Sequence, residues 1–572
     1  MIRCSGCRPL GQLLVLRCFS ERYRHSRMQC HLAMLWELCL CAVLCLCRVA
    51  DARPHVIFIL ADDLGFNDVG FHGSNQIPTP NIDALAYAGV VLHNYYVTPI
   101  CTPSRAALMT GKYPIHTGMQ HGVIYGTEPR GLPLSEKILP QYLKELGYKT
   151  HLVGKWHLGH YKKEYLPLNR GFDSHLGFWA GKIDLYDHTN MEQGSWGSDF
   201  RRGFDVADEL FGQYATDVYT TEATRLIKSH NTSEPLFLMV SHSAMHSGNP
   251  YEFLRAPDHL VANFSFIQDY QRRKYAAMMA KLDESVGKVV QALNNRGMLQ
   301  DSIIVFSSDN GGAAAGFNNN AASNYPLRGV KNTLWEGGVR GAGLLWSPLL
   351  KQRARVATQK LHIVDWLPTL YSAAGGNLSA LENLDGVDLW EALSKNLESS
   401  RTSVVHNIDD IWSSAAITVG KWKLIKGTNY DGAWDSWYGP SGRDLAYDFD
   451  LLYSCDAATA IKQIEPMPAK DKVESIRELA TVKCNESIPV TPCKPLEAPC
   501  LYNVEEDPCE RDNLAHRMQD VLRSLLDDLE RVNKTAVPPN NKPLVPKADP
   551  KYWGRVFTNF GDYMPPIQSC AP

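Results

Sequence analysis

The stretch His55-Val56-Ile57-Phe58-Ile59-Leu60-Ala61-Asp62-Asp63 is an unbroken apolar run of strand length that ends in two acids. A run without polar alternation suits a strand covered on both faces, as in the mostly parallel sheets of α/β proteins. In open sheets of that class ligands gather at the carboxyl ends of the strands, where Asp62 and Asp63 stand. The same pattern recurs along the chain. Leu139, Leu143 and Leu146 mark a short helix closed by Gly147, after which 149–153 reads as a strand delivering Gly154-Lys155-Trp156-His157-Leu158-Gly159. Residues 235–240 read as a third strand, delivering His242 and His246. A longer helix with Tyr275, Met278, Leu282, Val286, Val289 and Leu293 on one face ends at Gly297, and 302–307 then deliver Ser308-Asp309-Asn310-Gly311-Gly312. Four strand ends offer polar groups to one rim, and the irregular stretches 181–202 and 313–324 read as rim loops that shape substrate choice.

A second stretch carries the chemistry. Cys101-Thr102-Pro103-Ser104-Arg105 leads into Ala106-Ala107-Leu108-Met109-Thr110-Gly111-Lys112. Thr102 reads as an N-cap, Pro103 as a first-turn residue and Gly111 as the stop of a short helix. Cys101 then lies at the positive end of the helix dipole, and Arg105, four residues on, returns to the same side. For a lone cysteine a structural role is the default. The fixed Cys-x-Pro-x-Arg spacing followed by Thr-Gly-Lys displaces it, because it resembles the signature of the type I sulfatases. In that family the cysteine is oxidised to formylglycine, an aldehyde whose hydrate attacks sulfur.

Asp62, Asp63, Asp309 and Asn310 make an all-oxygen set. Hard oxygen ligands suit Ca²⁺ first and Mg²⁺ second rather than zinc, because the set calls for no imidazole or thiolate. Taken singly, each acid reads equally well as a loop or helix cap. The resemblance is densest over 55–173 and 302–340 and is closest to the arylsulfatase B (N-acetylgalactosamine-4-sulfatase) branch with its arylsulfatase I and J relatives. It rests on Leu60 to Gly65, Gly154 to Gly159, Asn169-Arg170-Gly171-Phe172-Asp173, Ser308 to Gly312 and Trp335-Glu336-Gly337-Gly338-Val339-Arg340. It implies an alkaline-phosphatase-like α/β fold, with a large mixed central sheet flanked by helices and a smaller C-terminal domain carrying a short antiparallel sheet and a helix. It also implies that Asp62, Asp63, Asp309, Asn310 and the modified Cys101 bind calcium and that Lys155 and Lys331 hold the sulfate. Arg105 and His157 would position and deprotonate the hydrate, and His246 would be the leaving-group acid. The formylglycine-generating enzyme would act during maturation. One departure stands out: the acid histidine of that branch is usually followed within two residues by proline, whereas here His246 precedes Ser247-Gly248-Asn249, which leaves His242 as an alternative.

Composition sets the outer limits. The chain has 572 residues, beyond the size at which one core stops growing, so a large domain plus a smaller one is expected. With 58 basic and 61 acidic side chains there is no general attraction to nucleic acid. The basic start, the apolar run Leu38 to Cys47 and the small residues at Ala50-Asp51-Ala52 read as a secretory leader over 1–52. No later run is long enough to span a membrane. The catalytic domain is expected over 53–400 and the smaller one, rich in disulfides and ending in a Pro-rich tail, over 401–572. Eight of the 15 cysteines fall in the leader; Cys455, Cys484, Cys493, Cys500, Cys509 and Cys570 allow up to three disulfides, leaving Cys101 odd. Sequons at Asn231, Asn263, Asn377, Asn485 and Asn533 suit an exported glycoprotein, lysosomal or extracellular.

These features point to hydrolysis of a sulfate ester, with N-acetylgalactosamine 4-sulfate in dermatan or chondroitin sulfate as the substrate the resemblance implies. Another sulfated carbohydrate or a sulfated small molecule is the alternative within that chemistry. Two other classes compete. A phosphatase of the alkaline phosphatase superfamily would use Ser or Thr and usually two zinc ions, and an inactive secreted sulfatase-like binding protein would not need the lysines and His157 intact.

Overall fold

The computed structural model describes residues 53–318 and 320–564, so the expected leader at 1–52 and Cys570 lie outside the described residues. β1 (His55–Ala61) is buried at every position. Its side chains divide by parity: Ile57, Ile59 and Ala61 enter one apolar core, Val56, Phe58 and Leu60 the other. Both faces of the strand are covered, which is why the run has no polar alternation.

The next strands are β2 (Val90–Tyr96), β3 (Lys149–Lys155), β4 (Ser174–Phe178), β5 (Thr189–Glu192), β6 (Ser195–Ser198), β7 (Arg201–Arg202) and β8 (Asp205–Val206). They are followed by β9 (Leu236–Ser241), β10 (Ser302–Ser308), β11 (Gly343–Trp346) and β12 (Arg355–His362). Ten of these strands form one mixed sheet in the order β12-β2-β11-β10-β1-β9-β3-β4-β7-β8, and β5 and β6 make a separate hairpin. Neighbours β10, β1, β9, β3 and β4 are mutually parallel. Ala61 pairs with Ser308, Leu60 with Ser241 and Gly154 with Ser241. The four strands predicted to carry polar ends are therefore adjacent, and those ends finish level with one another.

Helices cover both faces. Tyr270–Asn295 lies on one face, with the six residues from Tyr275 to Leu293 that set its predicted stripe all buried in the first core, beside Ala215–Ser229 and Pro80–Ala88. Cys101–Thr110, Leu139–Glu145 and Trp366–Ala373 pack on the other. A second, antiparallel sheet holds β13 (Ser403–Asp409), β14 (Ser414–Val419), β15 (Trp422–Lys426) and β16 (Cys500–Asn503) in that order. Helix Gln519–Asn533 joins the same core through Leu525 and Leu529. The sequence places its start near Asn513, but that side chain accepts instead from the Leu501 and Ala515 N–H groups, each at 3.1 Å.

The six C-terminal cysteines permitted three bridges; among the described residues two form, Cys484–Cys509 and Cys493–Cys500. Cys455 is a buried free thiol whose Sγ accepts from the Ala458 N–H at 3.4 Å and so caps helix Asp456–Ile461.

A buried charge cluster ties the small sheet to the main one. Lys423 of β15, fully buried, has its Nζ 2.8 Å from Glu336 and 2.9 Å from Glu510, and the Glu336 N–H donates to Glu510 at 2.7 Å. Glu336 opens the segment that follows Lys331. Lys423→Ala is expected to cost roughly 3–5 kcal/mol, because two buried carboxylates lose their shared cation. Chemical denaturation checks this, and a loss under about 1 kcal/mol would mean that the cluster behaves like a surface pair.

Candidate active site

The capping pattern places the N-cap at Thr102, whereas the structure places it at Ile100, so that Cys101 is the first helical residue. The Thr102 hydroxyl is used elsewhere: it donates to the His157 carbonyl and accepts from the Ile124 N–H, both at 3.2 Å. Those bonds fasten the helix start to the loop after β3. Cys101 is 1% exposed, and its Sγ lies 3.6 Å from Asp62 Oδ1. Burial pushes the thiol up to about 12, against the pull of Lys155 and Lys331.

Around Cys101 the strand ends converge. After β1, Asp62 Oδ2 receives Lys155 Nζ at 2.7 Å, and Asp63 Oδ1 receives Lys331 Nζ at 2.5 Å and Asn310 Nδ2 at 2.8 Å. Asp63 holds a left-handed backbone with φ of 59°, which an aspartate tolerates better than most residues and which costs conformational energy wherever it is not needed. After β10, Asp309 accepts from Arg105 at 2.8 Å and from the Asp63 N–H at 3.2 Å. Arg105 also donates to Ser241 Oγ at 2.6 Å and lies 3.6 Å from Asp62, so this one buried guanidinium joins the ends of β1, β9 and β10. Burial alone would raise the Asp63 carboxyl, but Lys331, with His246 and Asn310, holds it below the usual carboxylate range.

Two buried oxygens in this cluster, Asp63 Oδ2 and Asn310 Oδ1, have no hydrogen-bond partner. Orphaned hard acceptors among carboxylates are what an oxygen-seeking cation satisfies. Asp62, Asp63, Cys101 and His246 each offer a ligand atom within 4.8 Å of the others. The residues present thus fit a metal ion.

The two histidines expected to handle protons differ in their surroundings. His157 donates from Nε2 to the Ile124 carbonyl at 3.0 Å, which leaves Nδ1 without a partner as a free lone pair. Burial, then Lys155 and Arg105, keep this imidazole well below its usual range and neutral. A Cβ on Gly181 would meet the His157 ring at 2.7 Å, so the close approach of that loop requires glycine. His246 lines the same cleft as Cys101, with Nδ1 2.7 Å from the Ser247 carbonyl and Nε2 3.7 Å from Asp63 Oδ2. His242 is buried away from the cleft lining, 3.2 Å from Ser285 Oγ on helix Tyr270–Asn295.

The cleft encloses about 460 Å³. A family model described as Sulfatase matches residues 54–376. The chain belongs to the sulfatase family. It is 40% identical over 526 residues to Arylsulfatase J of Mus musculus, covering 88% of this chain and 80% of that one. N-acetylgalactosamine-6-sulfatase of Homo sapiens is 30% identical over 398 residues, 65% of this chain and 72% of that one. Among solved structures, Ps i-CgsB in complex with k-i-k-neocarrahexaose superposes with a TM-score of 0.66 at 27% identity, covering 85% of this chain and 94% of that one. The putative sulfatase yidJ from Bacteroides fragilis shares the fold, with a TM-score of 0.59 at 20% identity over 86% of this chain and 97% of that one. This sulfatase is a sulfuric ester hydrolase, and its family implies a formylglycine and a bound metal.

Sequence reasoning missed Ser241, the hydroxyl that steadies Arg105, and the cleft wall formed by His121, Lys182, Trp412 and Tyr430. Ser241 follows directly on the predicted strand 235–240, where a strand-end polar group would be read. The wall residues come from separate loops and form no motif; Lys182 lies in the predicted rim loop 181–202, and for Trp412 and Tyr430 the signal was the run of Trp and Tyr residues after residue 400.

Proposed function

We propose that this sulfatase hydrolyses the 4-sulfate of a terminal N-acetylgalactosamine in dermatan or chondroitin sulfate, using a formylglycine made from Cys101 and a bound Ca²⁺. One observation carries the reading: the cluster of Asp62, Asp63, Cys101 and His246 opens into a cleft walled by polar and aromatic side chains, the lining expected of a carbohydrate site. The charges of the cluster explain the anion. Asp62, Asp63 and Asp309 contribute three negative charges and Lys155, Lys331 and Arg105 three positive, a sum of zero before any cation binds. When bound, Ca²⁺ held by Asp62, Asp63, Asp309 and Asn310 adds two positive charges, and formylglycine at position 101 supplies a hydrated aldehyde as nucleophile.

The chain's own groups do the rest. Lys155 and Lys331 take sulfate oxygens and stabilise the charge that builds on them. His157 Nδ1 is placed to remove a proton at position 101, and Arg105 fixes the carboxylates around it. His246 lines the cleft, its Nδ1 held by the Ser247 carbonyl, and its Nε2 is the group that would protonate the departing sugar oxygen. Disulfides and sequons support passage through the secretory pathway to a lysosome or the cell exterior, with the formylglycine-generating enzyme met on the way: Asn231, Asn263, Asn377 and Asn485 are exposed and Asn533 half-buried. No helix among the described residues is long and apolar enough to cross a membrane.

The test offers 4-sulfated and 6-sulfated N-acetylgalactosamine saccharides beside an aryl sulfate. The 4-sulfated sugar should be cleaved with kcat/KM about tenfold or more above the 6-sulfated one. Turnover of the aryl ester alone rejects the sugar while keeping the reaction. His246→Ala should slow the sugar ester by about 10²–10⁴-fold, and the aryl ester, whose leaving group needs less help, by much less. Equal losses on both would remove His246 from the leaving-group role.

A further inference from the structure

One wall of the cleft is not used by the catalytic groups. Trp412 lies in the turn between β13 and β14 and Tyr430 after β15, so both are supplied by the small sheet. His121 and Trp412 have ring centroids 4.6 Å apart, Trp412 and Tyr430 6.4 Å, and Tyr430 and Phe317 5.8 Å. All four line the cleft together with Cys101 and Lys331. The row is braced from behind: His121 Nδ1 is 2.9 Å from Asp409 Oδ2, and the Tyr430 hydroxyl accepts from Asn332 Nδ2 at 2.8 Å. Asn332 is the neighbour of Lys331, so the wall is fixed relative to the sulfate pocket. Tyr430 is nevertheless 42% exposed, a large ring kept in water on a braced support. Such rings offer flat apolar faces with polar edges, suited to the C–H face of a pyranose.

Lys182 lines the same cleft. Lys331 there is matched by Asp63 at 2.5 Å, but the half-buried Lys182 ammonium has no ion pair or hydrogen bond among the described residues. The nearest acid, Glu192, also lines the cleft and attracts Lys182 without contacting it; its carboxylate accepts from the Gly126 N–H at 2.7 Å and from Asn190 Nδ2 at 2.9 Å, and burial pushes it above the usual carboxylate range. An ammonium in a cleft with no carboxylate in contact is a place for an anionic group of the ligand.

We propose that Trp412, Tyr430 and Lys182 form a second saccharide subsite beside the sulfate pocket, and that it takes the sugar following the sulfated ring when that sugar bears an anionic group. This rests on the saccharide reading above and deepens it. The anion is a uronate carboxylate or a second sulfate, which share the chemistry that Lys182 recognises.

The experiment measures kcat/KM for the wild type, Trp412→Ala, Tyr430→Ala and Lys182→Gln. The substrates are a sulfated monosaccharide, a sulfated disaccharide with a uronate, its carboxyl-reduced form, and a disulfated disaccharide without uronate. The wild type should prefer an anionic disaccharide to the monosaccharide. That preference should fall about tenfold in Trp412→Ala, chiefly through KM, with Tyr430→Ala as an independent reading from a different loop if the first variant folds poorly. Lys182→Gln should erase the preference for the uronate over its reduced form, or for the disulfated sugar if sulfate is the source. Equal losses on every substrate, monosaccharide included, would mark the residues as structural and overturn the subsite. Wild-type cleavage of the sugars with unchanged ratios in the variants overturns the subsite alone. A wild type that cleaves an aryl sulfate and no sugar overturns both readings.

Discussion

Cys101→Ala should lower kcat by about 10⁴-fold or more on any sulfate ester while the protein remains folded. The side chain removed is small, and trading a buried thiol for a methyl group costs about 1 kcal/mol, a minor part of the stability of a chain this size. The loss must then be chemical. Position 101 is where the helix start, the strand-end acids and His246 meet, with its Sγ 3.6 Å from Asp62, and no neighbouring side chain occupies an equivalent point. A neighbour could not take over from the far side of the cluster: Thr102 is committed to the His157 carbonyl and Ser104 Oγ accepts from the Thr98 N–H at 3.2 Å. Turnover of a chromogenic aryl sulfate gives the rate, and a melting curve within a few degrees of wild type shows that the fold is intact. Peptide mass spectrometry completes the test, since formylglycine lacks the sulfur of cysteine. Fully active protein carrying only unmodified Cys101 would overturn the nucleophile.

The parts of this protein that sequence could disclose share a physical feature: their signal is local. β1 announced itself because both faces are buried, and Asp62 and Asp63 because they end it. The ends of β3, β9 and β10 repeated that pattern, and each strand runs only a residue or two past its predicted limit. What the sequence left open depends on partners distant in the chain. Thr102 looked like a cap because nothing local shows that its hydroxyl would meet the carbonyl of residue 157. His242 and His246 were equivalent as letters, and their separation comes from helix Tyr270–Asn295 lying over the first while the second turns into the cleft. Six C-terminal cysteines allow several pairings because pairing is decided in space; among the described residues two bridges form and the Cys455 sulfur caps a helix. The aromatic wall is the extreme case, assembled from loops near residues 121, 317, 412 and 430.

Asp309→Ala should lower kcat/KM by about 10³-fold or more and also weaken the fold, for two separable reasons. The first is the proposed calcium site. Asp309 follows β10 directly beside the acids that follow β1, and removing its carboxylate would take a charged ligand from the proposed set, in which Asp63 Oδ2 and Asn310 Oδ1 have no hydrogen-bond partner. The second is Arg105, fully buried and 2.8 Å from Asp309, which would keep Asp62 at 3.6 Å as its one carboxylate contact among the described residues. Leaving a buried guanidinium short of its counter-ion costs roughly 3–5 kcal/mol. Calcium titration separates the two. Chelation of wild-type protein should abolish turnover and lower the melting temperature, and added Ca²⁺ should restore both, because a cation that binds only the folded state stabilises it by mass action. In Asp309→Ala the melting temperature should start lower and respond to Ca²⁺ only at much higher concentration, the first deficit reporting Arg105 and the second the lost ligand. A variant that melts low yet keeps the wild-type calcium response would assign Asp309 to Arg105 alone. Recovery of the chelated wild type by stoichiometric Zn²⁺ but not by Ca²⁺ would reject the oxygen-ligand site, since zinc would draw on imidazole and thiol donors such as His246 and Cys101 rather than on the carboxylates and Asn310.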